Sequence, residues 1–354
     1  MRSLFGFGKT EAGETAEPKS EKPAEKAPAL APVFDHPAAA RNIQEIPPLT
    51  PAEQQVLEKL RAEIPNLTHD LPEMDSDAVK YTDPEIPLDI ESWLTDECLA
   101  RYIRARKGNY DDAYRALRKT IEWRATTRPH ALRPDVVEVE NRTGKMYFNG
   151  FDRFSRPVIY MYNHRQNTKE ADNQIRWVVY TLEMCIRHMV PGVEKVTLAI
   201  DATHWGFSNS VSVGTAKKFL DVLSNHYPER LGKAVVFSPP RFFVGFYNLV
   251  SPFIDPVTKA KVAFVDAAKT QDQPQEDNGG SSPWINIQDC FDPAELEKDC
   301  YGQSAFQYDH PTYWKAIEAE FAQTKANAIA AEGAATASIP PTAETTEQPK
   351  NDKE

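Results

Sequence analysis

The sequence has few of the features that would make it an enzyme, a membrane-spanning protein or a nucleic-acid binder. It holds no G-x-x-x-x-G-K-[ST] phosphate loop, no G-x-G-x-x-G turn and no G-x-S-x-G nucleophile elbow. Gly206-Phe207-Ser208-Asn209-Ser210 lacks the closing glycine of such an elbow. Its four cysteines, Cys98, Cys185, Cys290 and Cys300, form no C-x-x-C pair. That argues against a zinc site and a disulfide framework, and for free, mostly buried thiols in a reducing compartment. No run of about 18–20 apolar residues is present to span a bilayer. The first residues hold no apolar run long enough for a signal peptide. A chain with formal net charge −11 also lacks the basic surface that nucleic-acid phosphates require. These absences point to a soluble cytoplasmic protein.

What charge there is lies unevenly. Residues 91–310 hold 28 basic and 28 acidic side chains, residues 1–90 hold 9 and 17, and residues 311–354 hold 4 and 7. The acidity therefore sits in the flanks. Residues 10–49 and 324–354 are rich in Ala, Pro, Glu, Lys and Thr and poor in aromatics. Such segments bury too little apolar surface to offset chain entropy, which predicts disordered tails over 1–49 and 324–354.

Between the tails, helix signals come first. Thr50-Pro51-Ala52-Glu53 reads as a capping box with proline at the first helical position. A polar, Pro-punctuated linker follows from Pro65 to about Pro87. Leu94-Thr95-Asp96-Glu97 opens a helix that ends at Arg104-Ala105-Arg106-Lys107-Gly108, where cations suit the dipole and glycine suits a left-handed exit. Asn109 begins the next helix, with Ala113, Leu117 and Ile121 on one face. The pattern changes near residue 145. Strands are predicted at 157–162, 196–201, 234–237 and 262–265, and helices at 173–190, 211–227 and 241–253. Val196-Thr197-Leu198-Ala199-Ile200 is nearly all apolar, as in a parallel sheet covered on both faces. The fold class is thus α/β: an all-helical unit over 50–134, then a mostly parallel sheet with helices over 135–315.

Residues 240–254 are apolar around the whole helical circumference, with Phe242, Phe243, Phe246, Tyr247, Leu249, Val250 and Phe253. Periodicity fits two readings equally: a buried core helix, or a lid with ligand on one side and a bilayer interface on the other.

Five ordered motifs bear on that choice. They are Ile103-Arg104-Ala105-Arg106-Lys107, the Trp123-Arg124 helix end, Arg156-Pro157-Val158, Tyr227-Pro228-Glu229-Arg230-Leu231-Gly232-Lys233, and Pro252-Phe253-Ile254-Asp255-Pro256-Val257-Thr258-Lys259-Ala260-Lys261. Together, over about residues 50–315, they resemble the CRAL-TRIO lipid-binding family, and within it the phosphatidylinositol-transfer proteins. The resemblance implies a helical N-terminal domain, an α/β lipid-binding domain, and a mobile gate helix at 240–254. It implies a carrier of single lipid molecules that needs no cofactor and catalyses no reaction.

Carried over residue by residue, the family's phosphatidylinositol headgroup contacts fall on Arg106, Glu229, Thr258 and Lys261, with Asp152 placed near the inositol. The chemistry is apt, because a phosphodiester takes cations and a hydroxyl, and inositol hydroxyls donate to a carboxylate. Members that also carry phosphatidylcholine use hydroxyl side chains at four strand positions, which align with Phe148, Ile159, Val196 and Leu198. None of these can replace a phosphate-binding donor. The Glu140-Asn141-Arg142-Thr143-Gly144-Lys145 and Arg165-Gln166-Asn167-Thr168-Lys169 runs resemble a branch with a sterol as second ligand and a part in phospholipid and sterol homeostasis. The expected partners are phosphatidylinositol, a sterol, the surfaces of endoplasmic reticulum, lipid droplets or other membranes, and a lipid kinase if the chain presents lipid rather than transports it. A retinoid, tocopherol or haem is the alternative ligand class within the family.

Overall fold

The computed structural model describes residues 30–35, 42–206, 211–240, 243, 247, 249, 251–254, 256–265 and 285–337. Helix α1 (Pro51–Ala62) starts as predicted: the Glu53 N–H donates to Thr50 Oγ1 at 3.3 Å, and the Thr50 N–H to the Glu53 carboxylate at 2.9 Å. The linker expected after Pro65 holds more structure than its composition suggests. It contains α2 (Ile64–Thr68), a 3₁₀ turn at Ala78–Lys80 and α3 (Ile90–Trp93). Helix α4 (Asp96–Ala105) is capped by Thr95 and ends through Lys107 (φ +52°) and Gly108 (φ +76°), whose N–H reaches back to the Ile103 carbonyl at 2.9 Å. Asn109 caps α5 (Tyr110–Thr127). Leu57, Leu60, Leu99, Ile103, Leu117 and Ile121 close one apolar core between these helices.

Helix α5 also joins the helical unit to the rest. Arg124 holds the Glu183 carboxylate with both Nη groups, at 2.8 and 3.1 Å, and the Tyr227 hydroxyl donates to the same carboxylate at 2.7 Å. Burial pushes that carboxyl up, but the Arg124 charge and these hydrogen bonds more than reverse it, to about 2. Trp123 stacks on His226 with ring centres 4.2 Å apart.

The second unit, which begins after the short helix α6 (Glu138–Asn141), is built on five strands in the order β1-β2-β3-β4-β5. Strands β2 (Pro157–Tyr162), β3 (Val196–Asp201), β4 (Leu231–Phe237) and β5 (Val262–Val265) are parallel. Strand β1 (Met146–Phe151), which sequence pattern did not reveal, pairs antiparallel with β2. Its residues are buried on both faces, so polarity does not alternate, and Gly150 (φ +67°) falls where the register shifts.

When parallel strands follow chain order, right-handed crossovers all fall on one face. Helices α7 (Ala171–Arg187) and α8 (Val213–His226) make the first two crossovers, and Phe243, between β4 and β5, packs on Val236 and Phe264. Side chains alternate along strands, so Phe148, Ile159, Leu198, Ala234 and Val262, in register across the sheet, share a face. His188, at the end of α7, lies against Phe148 on that face. The opposite face is covered by residues 285–309: Phe237 packs on Phe291 and Tyr301, and Tyr147 and Tyr162 donate to the buried Glu297 at 2.6 and 2.8 Å.

Two tail boundaries need correction. Residues 30–35 do not trail away: the Val33 N–H donates to Asn149 Oδ1 and its carbonyl accepts from the Gly150 N–H, both at 2.8 Å, while buried Phe34 stacks on Phe148. They shield the free edge of β1. At the other end, a short helix α9 (Pro256–Ala260) precedes β5, and helix α10 (His310–Ala337) runs past residue 324. Contacts rather than composition hold it: Arg187 grips Glu320 at 2.9 and 3.2 Å, and Lys325 pairs with Asp83 and Glu85. All four cysteines are free and buried, and no helix among the described residues is long and apolar enough to cross a membrane.

The unit-to-unit seam makes stability pH-dependent. His130 and His226 both sit near pKa 4, held down first by burial and then by the charges of Arg124 and Lys119 respectively. An unfolded histidine titrates near about 6.5. Between about pH 6.5 and 4 the unfolded chain therefore binds protons that the folded chain refuses, so stability falls as pH falls through that window. The slope is at most about 1.4 kcal/mol per pH unit per histidine. Urea midpoints at neutral pH and at about pH 5 should show this loss, and His226→Gln should show less of it; equal losses in both proteins would refute the assignment.

Candidate functional site

The helix-side face of the sheet is not closed over its centre. On the central strand β3, Thr197, Ala199 and Asp201, facing the other way, are buried, whereas Leu198 and Ile200 are only partly so. Met161 beside them on β2 and Val262 on β5 are also partly open. The helices above show the same incompleteness. Val222 and Leu223 of α8 and Ile175, Val178 and Ile186 of α7 are half-buried, and α8 has no fully buried residue. A central strand normally has its apolar side chains covered. Here an apolar floor and two apolar walls meet without filling the space between them.

Phe243 and Tyr247 lie over part of this floor. Phe243 is buried against Ala202, Val236 and Phe264, with the Trp205 ring 4.8 Å away, and Tyr247 meets Phe264 edge-on at 6.0 Å. On the outside, Leu249, Phe253 and Val257 are 56%, 51% and 58% exposed, and Lys217 of α8 stands over the Phe253 ring at 5.5 Å. Phe242, Phe246 and Val250 lie outside the described residues. Both halves of the lid reading thus have side chains to carry them: Phe243 faces the sheet and Phe253 faces water.

Of the four strand positions read as a second-ligand pocket, all share this face. Phe148, Ile159 and Val196 are buried in core packing, and Leu198 alone is partly open.

The predicted headgroup residues fall at the end of the sheet where the parallel strands begin. Glu229 sits in the turn before β4 with φ +59°, a left-handed backbone that costs a non-glycine residue energy. Lys261 immediately precedes β5, and its Nζ lies 3.3 Å from the Glu229 carboxylate. The Lys261 N–H donates to the Thr258 carbonyl at 3.0 Å, and its carbonyl accepts from the Ala234 N–H at 2.9 Å, so Thr258, Lys261 and β4 form one connected piece. Arg106 is not joined to the pair by any hydrogen bond or ion pair. It ends α4, with Nη1 donating to the Ala105 carbonyl at 3.2 Å, one turn beyond Tyr102, whose hydroxyl donates to the His226 carbonyl at 3.4 Å.

Asp152 has a different setting from the one expected. Its Oδ1 accepts from the Phe154 and Arg156 N–H groups, and its Oδ2 from Arg156 Nε at 2.6 Å and Thr197 Oγ1 at 2.6 Å. A carboxylate has about four acceptor positions. All are spent inside the protein, so Asp152 orients Arg156 and has none left for an inositol hydroxyl.

Sequence reasoning passed over two cations at this rim. Arg156 and Lys195 directly precede β2 and β3, as Lys261 precedes β5. Burial lowers the Lys195 ammonium's pKa, and the neighbouring Lys261 and Arg156 charges lower it further. The available signal was positional: a cation one residue before each parallel strand start gathers at the same end of the sheet.

Comparison with known proteins bears on the family. Residues 54–119 match the family model for the CRAL/TRIO N-terminal domain, and residues 141–298 match that for the CRAL/TRIO domain. Over 234 residues the chain is 35% identical to the phosphatidylinositol transfer protein PDR17 of Saccharomyces cerevisiae, covering 63% of this chain and 61% of that protein. It is 36% identical over 266 residues to the CRAL-TRIO domain-containing protein C23B6.04c of Schizosaccharomyces pombe, 70% of this chain but 24% of that protein. The chain thus spans less than two thirds of either relative. Among solved structures, the crystal structure of Sfh5 superposes with a TM-score of 0.47 at 16% identity, covering 62% of this chain and 82% of that one.

Gly232 tests how tightly the rim is built. A Cβ there would lie 2.6 Å from Arg156 Nη1, 2.9 Å from its Cδ and 3.1 Å from the Val196 carbonyl. Arg156 cannot swing away while Asp152 holds it. Gly232→Ala should therefore destabilise the protein by about 1–3 kcal/mol in urea unfolding, whereas Gly150→Ala, with open space around it but a left-handed φ, reports backbone strain alone. A Gly232→Ala midpoint equal to that of the unsubstituted protein would refute this packing.

Proposed function

Because the chain belongs to the CRAL-TRIO family, we propose that it is a carrier, not an enzyme, that binds one phosphatidylinositol molecule beneath residues 240–254 and exchanges it between membranes. The observation that carries this reading is the partly open apolar floor around Leu198 and Ile200, roofed by Phe243, with Glu229 and Lys261 on the rim beside it. Acyl chains fill such a space at about 0.8 kcal/mol per buried CH₂. That offsets most of what a lipid loses on leaving the bilayer, so exchange is near-isoenergetic and the headgroup decides which lipid is kept. Lys261 takes the phosphodiester, and Glu229 accepts from inositol hydroxyls once the ligand loosens its pairing with Lys261. Arg106 approaches as α4 and the Glu229 turn close on the headgroup.

Leu249, Phe253 and Val257 are exposed close together in the chain, which supports them as the surface that meets the cytosolic leaflet. Association of this kind is peripheral, and it fits endoplasmic reticulum, lipid droplets or another membrane equally. For the second ligand we favour a sterol over phosphatidylcholine, since Phe148, Ile159, Val196 and Leu198 offer no hydroxyl and only Leu198 is open to a ligand. A carrier of these two lipids would link phospholipid and sterol homeostasis.

Mass spectrometry of lipid co-purifying with the protein should find phosphatidylinositol and a sterol. Lys261→Ala and Arg106→Ala should each lower phosphatidylinositol transfer between vesicles at least about tenfold, because each removes a charge-assisted contact, while unfolding midpoints stay put. Unchanged transfer in both variants would sink the headgroup assignment, and a co-purified retinoid, tocopherol or haem would sink the ligand.

A further inference from the structure

Residues 30–35 and helix α10 lie outside both stretches that match the family models, and they meet at one place, Phe148. The N-terminal segment brings a single ring there. Phe34 is buried, whereas Leu30, Val33 and Asp35 are exposed. The Phe34 ring stacks on Phe148 with centres 5.4 Å apart, meets Tyr313 of α10 edge-on at 5.6 Å, and lies 6.0 Å from His188 at the end of α7. The Tyr313 hydroxyl in turn donates to the Phe148 carbonyl at 2.9 Å.

The seat of this ring is fixed by polar groups. The Val33 N–H donates to Asn149 Oδ1, and the Gly150 N–H donates to the Val33 carbonyl, both at 2.8 Å. Asn149 is itself oriented, because its Nδ2 donates to the buried Glu297 carboxylate at 2.9 Å. That leaves its Oδ1 toward the segment. Ordering several residues to bury one side chain yields little stability, because chain entropy opposes it. What the two hydrogen bonds secure is the position of the ring.

That position ends a row of side chains. Phe148, Ile159 and Leu198 are in register on the helix-side face, and Leu198 belongs to the partly open floor. Phe243 covers the β4 and β5 side of that floor, through Val236 and Phe264. Phe34 covers the β1 side. An apolar tail lying on Leu198 and running toward β1 meets Phe148 with the Phe34 ring already stacked on it. A packed interior resists added volume, so the tail stops there.

We propose that Phe34 is a specificity-determining residue: its ring closes the ligand space at β1 and sets the length of acyl chain that the protein retains. The proposal rests on the lipid-carrier reading above. Removing the ring leaves room beside Phe148 for a longer chain, and each further buried CH₂ is worth about fourfold in retention.

The test incubates the full chain with phosphatidylcholine vesicles holding equal amounts of dioleoyl and dierucoyl phosphatidylinositol. The protein is re-isolated and its bound lipids are quantified by mass spectrometry. The unsubstituted protein should retain mostly the shorter, dioleoyl lipid. Phe34→Ala should move the ratio toward the dierucoyl lipid by about fourfold or more. Val33→Pro removes the N–H that Asn149 holds and should move the ratio the same way with the ring intact. Leu30→Ala, at an exposed position of the same segment, should leave the ratio where it is. A Phe34 that only stabilised the fold would lower the unfolding midpoint without touching the ratio. Uptake of both lipids in a ratio that neither Phe34→Ala nor Val33→Pro moves therefore overturns this proposal and leaves the carrier reading standing. Uptake of neither lipid by the unsubstituted protein overturns the carrier reading, and this proposal with it.

Discussion

A parallel sheet whose strands run in chain order has to place every right-handed crossover on one face, and most of this molecule follows from that. Helices α7 and α8 and the side chain of Phe243 all fall on the same side. The other side then needs a separate cover, which residues 285–309 supply. The last crossover must carry the chain from the end of β4 to the start of β5, so it lies across the sheet. It leaves near Trp205 and Phe243 and returns at Thr258 and Lys261. Phe243 on the sheet and Lys261 on the charged rim thus belong to one connection between β4 and β5.

The two faces are held by different physics. On the far face, Glu297 is buried and accepts from Tyr147, Tyr162 and Asn149 at 2.6–2.9 Å. Burial raises its pKa, against the pull of those donors. Separating that cover would strand a buried carboxylate and its partners, which costs several kcal/mol. On the lid side, the fixed contact is a small apolar cluster of Phe243 with Ala202, Val236 and Phe264. Uncovering one phenylalanine costs about 2–3 kcal/mol. The contact made by Phe243 is therefore far cheaper to break than the far cover.

How much of this the sequence disclosed depends on whether the signal was local. Helix starts were legible because a cap is a contact within four residues, as at Thr50, Thr95 and Asn109. The parallel strands were legible because burial on both faces demands a continuous apolar run. Strand β1 was not, since its burial depends on Phe34 and Tyr313, which lie far away in sequence. Composition marked residues 30–35 and 324–337 as tails, yet Phe34 packs on Phe148 and Lys325 reaches Asp83. Asp152 was misplaced for a related reason: a carboxylate before a strand looks free until Thr197 and Arg156 are known to consume it. Glu229, Thr258 and Lys261 were singled out through motif resemblance, and the fold brings the three to adjacent strand starts.

The same folding-in of the tails alters the meaning of the net charge. Of the acidic flank residues, Asp83 and Glu85 pair with Lys325, and Asp35 lies 3.3 Å from His188, so part of the flanking charge is used to pin the ends rather than left to repel. The body between residues 91 and 310 is balanced, but its charge is sorted: cations collect at the strand starts, and Lys217 stands beside exposed Phe253. Beyond a Debye length of about 8 Å an approaching surface senses little of either. Within that range it meets Phe253 beside Lys217, so on the carrier reading proposed above the attraction to an anionic leaflet is local, without the broad basic face that would hold the protein there.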